Sequence, residues 1–376
     1  MQQKSSKILI AATVPETVRL LMRGQLDWFA NKGYLVDVCT DPGSNYGLGN
    51  AEFTDSVHER HFISMERDFS VIKDIGSLIQ WVRLLRKTRP DYLVACTPKA
   101  SLLSLIAGLI ARVPNRIYIL FGLRYETSTG IARKVLKATE RICGYCADVV
   151  IAVSPSLANC ATEEKLISSK KIRLIGKGSS NGVDSNRFKP LEKSERERKR
   201  ASLGYSEDDF VVGFIGRLTP DKGIDSLLEA FGQVNQRVDH AKLLLIGPFE
   251  GSSIEHPGMQ QVGSQADTSK WHPLLDALVL PTKREGFPNV VLEAHACAVP
   301  VITTRATGAV DSVIDGENGL LVDVDNVDQL AKAIMQLATN PGLCHELGAN
   351  GRSWVIENFQ PEFIWLGMDK IFHEMK

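Results

Sequence analysis

The chain repeats one alternation from its N-terminus: a short, continuously apolar run, then a longer stretch with helical spacing. The first runs are KILIAA, YLVDVCT, DYLVACT, RIYILF, DVVIAVS and KIRLIG. Unbroken apolar runs of this length suit strands covered on both faces of a parallel sheet. Helix-length segments separate them, among them 17–32, 72–88 and 131–147. Strand and helix in strict alternation predict a doubly wound α/β sheet.

The pattern lapses at Lys189-Pro190, where LEKSERERKR reads as a solvated helix or linker. It then restarts with FVVGFIG, a helix over 224–234, KLLLIG, a short helix near Trp271, ALVLPT, a helix over 290–298, VPVITT and LLVDV. This predicts two α/β domains, 1–188 and 189–360, facing across a cleft. An amphipathic helix over 361–376 packs back on the body, with the first domain as one place for it. In open α/β sheets ligands bind beyond the carboxyl ends of the strands, so the chemistry is sought there.

Lys plus Arg equals Asp plus Glu, 44 against 44, but the halves differ. Residues 1–190 carry 27 basic and 17 acidic side chains, and the remainder carries the reverse. A net +10 half suggests an anionic partner on that side. In LEKSERERKR acids alternate with bases, so no nucleic acid is expected. The N-terminal residues have no long apolar core, so no signal peptide is expected, and the most apolar helix, over 100–113, is too short to span a bilayer. Cys143-Gly-Tyr-Cys146 ends a helix instead of opening one, so the seven cysteines read as packing thiols. No Cys/His grouping has zinc-ligand spacing.

No dinucleotide fingerprint or P-loop is present: GKGSSNG has the wrong spacing, and TVPETV follows the first strand without a glycine. The second domain is more informative. Gly216-Arg217 leaves the strand FVVGFIG, with Lys222 five residues further on. A planar guanidinium and a mobile ammonium at a strand end suit a diphosphate, although two surface cations on a turn would read the same. KREGFPNVVLE, 283–293, then makes a strand-to-helix loop. Pro288 suits the first helical turn, leaving the amides of Asn289, Val290 and Val291 free for a phosphate or sugar hydroxyls. Gly286 lets backbone approach a ligand, and Glu285 shares the loop with it. Glu293 lies deeper, among apolar neighbours, where an unpartnered carboxylate is costly. A ribose diol would satisfy it, and so would a local Arg or backbone group.

These residues resemble the retaining, metal-independent glycosyltransferases of family 4, which have the GT-B fold of two Rossmann-like domains. EGFPNVVLE is similar to their E-x7-E motif and GRLTPDKG to their G-R-x4-K-G segment. SSNGVDSNRFKP, ACAVPVITT and GAVDSVIDGENGLLV follow the family order, and TPKASLL and FGLRYET resemble the capsule and O-antigen branch. The resemblance implies that Gly216, Arg217 and Lys222 hold the donor diphosphate, and that Glu293 holds the ribose. It implies that Glu285 contacts the transferred sugar, with Gly286, Phe287, Pro288, Asn289 and Val290 around it. Arg217, Lys222 and Glu285 are then the catalytic candidates, with the donor phosphate taking the acceptor's proton. The donor is expected to be UDP-linked and the acceptor a polyprenyl-diphosphate-linked saccharide. The same resemblance implies no cofactor and no metal; Asp323-Val-Asp325 looks like the DxD metal motif of the other glycosyltransferase fold, but it lies at the start of a late helix and reads as helix-capping acids.

Two departures concern the acceptor side. The family's usual His after the strand IYILFG is Phe121 here, with Arg124 or Glu126 as substitutes, and the usual Gly-rich first loop is absent. Glu16, Lys99, Arg124 and Glu126 are the acceptor-side candidates. Arg133, Lys134 and Lys137 are candidates for contact with an anionic membrane surface; the resemblance implies a cytoplasmic protein, peripheral on the cytoplasmic face of a bacterial inner membrane. The rival readings are a same-fold enzyme on a soluble acceptor, glycogen-synthase-like or a nucleotide-sugar epimerase, and a catalytically silent scaffold of a polysaccharide assembly.

Overall fold

A computed structural model describes residues 5–42, 56–65, 70–248 and 258–376. The chain divides into two units, Met1–Asn181 with Ile364–Lys376, and Gly182–Phe363. The expected boundaries, 188 and 360, both lie within the second unit.

Unit one holds strands β1 (Lys7–Ala11), β2 (Leu35–Thr40), β3 (Glu59–Phe62), β4 (Tyr92–Ala95), β5 (Asn115–Leu120), β6 (Val149–Ala152) and β7 (Ile172–Leu174). They pair in parallel in the order β3-β2-β1-β4-β5-β6-β7. Its helices are α1 (Pro15–Leu21), α2 (Gln25–Asn31), α3 (Val71–Thr88), α4 (Pro98–Ala111), α5 (Gly130–Cys146) and α6 (Pro155–Glu163). Unit two opens with α7 (Lys193–Ser202). Its strands are β8 (Phe210–Ile215), β9 (Ala241–Ile246), β10 (Met259–Val262), β11 (Ala277–Leu280), β12 (Val301–Thr304) and β13 (Gly319–Val322). These are also parallel, in the order β10-β9-β8-β11-β12-β13. Helices α8 (Ile224–Asn235), α9 (Asn289–Ala296), α10 (Val327–Ala338) and α11 (Pro341–Asn358) accompany them, and α12 (Pro361–Glu374) ends the chain.

Each sheet reverses its winding once, between β1 and β4 in unit one and between β8 and β11 in unit two. A crevice opens at the carboxyl ends of the strands at such a reversal.

Four expectations change. The single helix over 17–32 is two helices, because Gly24 adopts φ 75° between them. A Cβ there would come 3.0 Å from the Trp365 ring, so both the turn and the packing require glycine. Strands β3 and β10 went unpredicted: ERHF and MQQV are short, polar edge strands without an apolar run. The charge run is not simply solvated. Arg196 and Arg200, one helical turn apart on α7, both reach Asp276, at 2.7 and 2.8 Å. Arg200 is buried. The fourth change concerns Asp323-Val-Asp325: the residue that caps α10 is Asn326, through Gln329 N–H.

Helix α12 packs on unit one through Ile364, Trp365, Met368, Ile371 and Phe372. Phe372 stacks on Tyr92 at 4.7 Å, the Tyr92 hydroxyl donates to the Phe372 carbonyl at 2.7 Å, and Tyr34 donates to Asp369 at 2.6 Å. Among the described residues no helix is long and apolar enough to cross a membrane.

Candidate active site

The winding reversal of unit two is where the sequence candidates converge. Arg217 follows β8 and Lys222 ends a 3₁₀ turn, Pro220–Lys222, while Glu285 lies on the loop after β11. Lys222 Nζ meets Glu285 Oε1 at 2.5 Å, although 63 residues separate them. Backbone contact between the two loops enforces this meeting. Gly223 has φ 74°, and a Cβ there would lie 1.9 Å from the Pro281 carbonyl oxygen. The Lys283 N–H donates to the Asp221 carbonyl at 3.0 Å, and the Thr282 hydroxyl donates to the same oxygen at 3.2 Å. Glu285 is held in turn by its own N–H, which donates to the Thr307 carbonyl at 2.8 Å.

Asp221 organises the cations. It accepts from Thr219 Oγ1 at 2.6 Å and lies 3.4 Å from Arg284 and 3.6 Å from Arg217. Burial pushes its carboxyl up, but the Thr219 hydroxyl and the charges of Arg217, Arg284 and Lys222 outweigh this, so it sits below its ordinary value. The Arg217 side chain is 56% exposed, and its guanidinium is therefore open to a ligand from solvent.

Glu293 is one and a half turns into α9 and is not stranded. Its side chain is 24% exposed. One oxygen, Oε2, is 3.1 Å from His272 Nε2 and accepts from Thr268 Oγ1 at 3.4 Å. In place of the expected Arg or backbone group, His272 and Thr268 are the local partners. Both partners sit in the 3₁₀ turns Thr268–Lys270 and His272–Leu274, and Asp267 caps the first through Ser269 N–H. His272 is fully buried, edge-on to Phe188.

The start of α9 differs from expectation in two ways. Pro288 is the residue before the helix, not in its first turn. The Val291 amide is not free, because it donates to the Pro288 carbonyl at 3.0 Å. Phe287 points into the core against Phe359, while Asn289 and Val290 stay half-buried. Gly286 lies where a Cβ on Gly308 would strike its carbonyl oxygen, at 2.3 Å.

In unit one, Glu16 and Lys99 also flank a winding reversal, in the first turns of α1 and α4 after β1 and β4. Thr97 Oγ1 ties the two loops by accepting from Thr13 N–H at 2.7 Å. Lys99 is buried and paired with Asp74 at 2.6 Å. Arg124 is exposed on the 3₁₀ turn Arg124–Thr127; Glu126 is half-buried there, 3.8 Å from Cys160 Sγ. Arg133 and Lys137 turn onto the Tyr125 ring, at 5.3 and 4.7 Å, and Lys137 also pairs with Glu164 at 2.6 Å. Of the three membrane candidates, Lys134 is exposed, whereas Arg133 and Lys137 are half-buried.

Two family profiles match this chain: Glycosyltransferase Family 4 over residues 23–187 and Glycosyl transferases group 1 over residues 195–354. CapM of Staphylococcus aureus, a capsular polysaccharide biosynthesis glycosyltransferase, is 33% identical over 380 residues, covering 98% of this chain and 97% of its own. The chain belongs to glycosyltransferase family 4. It is a glycosyltransferase, and the E-x7-E pair at Glu285 and Glu293 lies within the group 1 match. A second family relative is the UDP-Gal:α-D-GlcNAc-diphosphoundecaprenol α-1,3-galactosyltransferase of Escherichia coli. It is 25% identical over 318 residues, with 81% of each chain covered. Among solved structures, HepE of Anabaena with UDP and glucose superposes with TM-score 0.79 at 19% identity, covering 98% of this chain and 100% of that one. Sucrose-phosphate synthase of Thermosynechococcus elongatus gives TM-score 0.79 at 22% identity, with 99% of each chain covered. The family 4 chain thus has the GT-B fold.

Proposed function

We propose that the enzyme transfers a sugar, with retention, from a UDP-linked donor to a polyprenyl-diphosphate-linked saccharide, in the assembly of a capsule or related bacterial polysaccharide. The observation that carries this reading is the Lys222–Glu285 pair, set beside exposed Arg217 at the winding reversal of unit two. Two cations, Arg217 just after β8 and Lys222 at the end of the 3₁₀ turn that follows, would neutralise the charge that develops on a departing nucleoside diphosphate. Glu285 would hold the sugar over them, and Glu293, with one oxygen already fixed, would offer the other to a ribose diol. With no paired acid and base among the donor-site candidates, rate enhancement would come from positioning and charge stabilisation. The residues expected at the donor site call for no metal or cofactor. CapM is named for capsular polysaccharide biosynthesis, which supports the pathway, and the Escherichia coli relative is named for transfer to α-D-GlcNAc-diphosphoundecaprenol, which supports the choice of acceptor.

The site of action would be an anionic membrane surface, reached through α5. Ile131, Val135, Ile142 and Tyr145 recur on one face of this helix and are all exposed. Exposed Lys134 and Arg141 flank them. An apolar stripe bordered by cations suits a helix lying in the interface.

The test is transfer from UDP-sugars to a synthetic polyprenyl-diphosphate saccharide, with the anomeric configuration of the product read by NMR. An α-linked product from an α-linked donor is expected. Inversion, or transfer to a free saccharide at the same rate as to the lipid-linked one, would contradict the reading.

A further inference from the structure

The edge of the unit-one sheet gathers a set of side chains outside the candidate site described above. Strands β2 and β3 pair in parallel with Asp37 opposite Glu59 and Cys39 opposite His61. The side chains of Asp37, Glu59 and His61 therefore project on one face of the sheet. Asp37 and Glu59 stand early in their strands, at the end of the sheet opposite the loops that carry Glu16 and Lys99.

A carboxylate oxygen from Asp37, one from Glu59 and a ring nitrogen of His61 all lie within 4.8 Å of one another. His61 Nε2 is 3.5 Å from Asp37 Oδ2 and 3.5 Å from Glu59 Oε2. In a tetrahedral zinc site with bonds of about 2.0–2.2 Å, neighbouring ligand atoms are separated by roughly 3.3–3.6 Å. The two measured edges fall in that range. Neither is a hydrogen bond: His61 Nε2 and Asp37 Oδ2 are both shut off from solvent and lack a hydrogen-bond partner. The Asp37 side chain is wholly buried. A buried imidazole nitrogen without a hydrogen-bond partner, facing a buried carboxylate oxygen that is ion-paired to Lys7 but not hydrogen-bonded, is a costly arrangement that a further cation would relieve.

Two further groups bear on the charge. His58 Nδ1 lies 3.0 Å from Asp37 Oδ1, an outer contact of the kind that orients a ligating carboxylate. Lys7 Nζ lies 3.3 Å from Asp37 Oδ2, but it belongs to β1, on the opposite flank of β2 from Glu59 and His61. The ammonium of Lys7 set against the two carboxylates leaves one negative charge. Lys7 therefore accounts for half of the carboxylate charge, and the β3 flank keeps the rest.

We propose that Asp37, Glu59 and His61 bind a divalent transition-metal ion, represented by zinc, that fastens edge strand β3 to β2. Two carboxylates and one imidazole form a nitrogen–oxygen donor set suited to such ions. The side chain of Glu59 is 51% exposed, so the site is reachable from solvent. The ion's role is structural and separate from the donor site of unit two.

The experiment is zinc titration of tag-free, chelator-treated protein, followed by calorimetry and by melting temperature. Cobalt substitution reports coordination through its visible absorption. One equivalent of zinc is expected to bind and raise the melting temperature, and cobalt to give a four-coordinate spectrum. His61→Ala and Glu59→Gln should each weaken zinc binding at least tenfold. The Glu59 change, at a half-exposed position, guards against a variant that fails to fold. No binding by the parent protein would overturn the proposal. So would equal zinc affinity in folded His61→Ala or Glu59→Gln protein, which would place the ion on the cysteines or on other histidines.

Discussion

Glu293 stands within VVLEAHACAV at tolerable cost because Thr268 and His272 hold one of its oxygens and solvent reaches the side chain. His295, two positions on, has no such outlet. Burial pushes its imidazole down to about 4, opposed by a backbone contact from Ser312. Between its ordinary pKa of 6.5 and that value, the unfolded chain carries a proton here that the folded chain does not. Folding stability from this group therefore falls on acidification, by at most about 1.4 kcal/mol per pH unit. Melting curves at about pH 7.5 and about pH 5 should show a shallower acid loss for His295→Gln than for the parent. Identical losses would show that His295 titrates normally in the fold. The sequence exposes Glu293 as an anomaly in an apolar run but not its partners, which lie 25 and 21 residues upstream in a turn with no periodic signature. The same limit hides the Asp37–His61 cluster, since its three members come from two strands and only the HERH segment is contiguous.

At the scale of elements, buried parallel strands are legible because their apolar runs are unbroken, whereas the edge strands β3 and β10 are not. Helix α5 shows a finer limit. Its basic residues are plain in the sequence, but which of them face solvent depends on Tyr125 and Glu164, which draw in Arg133 and Lys137. The surface left over is Ile131, Val135, Ile142 and Tyr145 with Lys134 and Arg141. The protein should float with vesicles containing phosphatidylglycerol at low salt, and less so at high salt. Ile131→Asp with Ile142→Asp should abolish flotation without lowering the melting temperature. Salt-independent absence from the vesicles, or unchanged flotation of the double variant, would remove α5 from the account.

At the scale of the whole chain, the same plan is used twice: a parallel sheet that winds outward from a central reversal, with candidate residues on the loops beside it. The alternation of runs reveals this plan, and the motif GRLTPDKG with KREGFPNVVLE marks the second reversal. What the motifs do not contain is the contact between them. Gly223 against Pro281 and Asp221 against Lys283 bring Lys222 to Glu285, and only folding makes those neighbours. The claim that this junction grips a nucleoside diphosphate is tested most directly by calorimetric titration of UDP into the parent protein and Lys222→Ala. One UDP should bind the parent, and the variant should bind at least about tenfold more weakly while melting within a few degrees of the parent. Equal affinity in a folded Lys222→Ala protein would contradict the account.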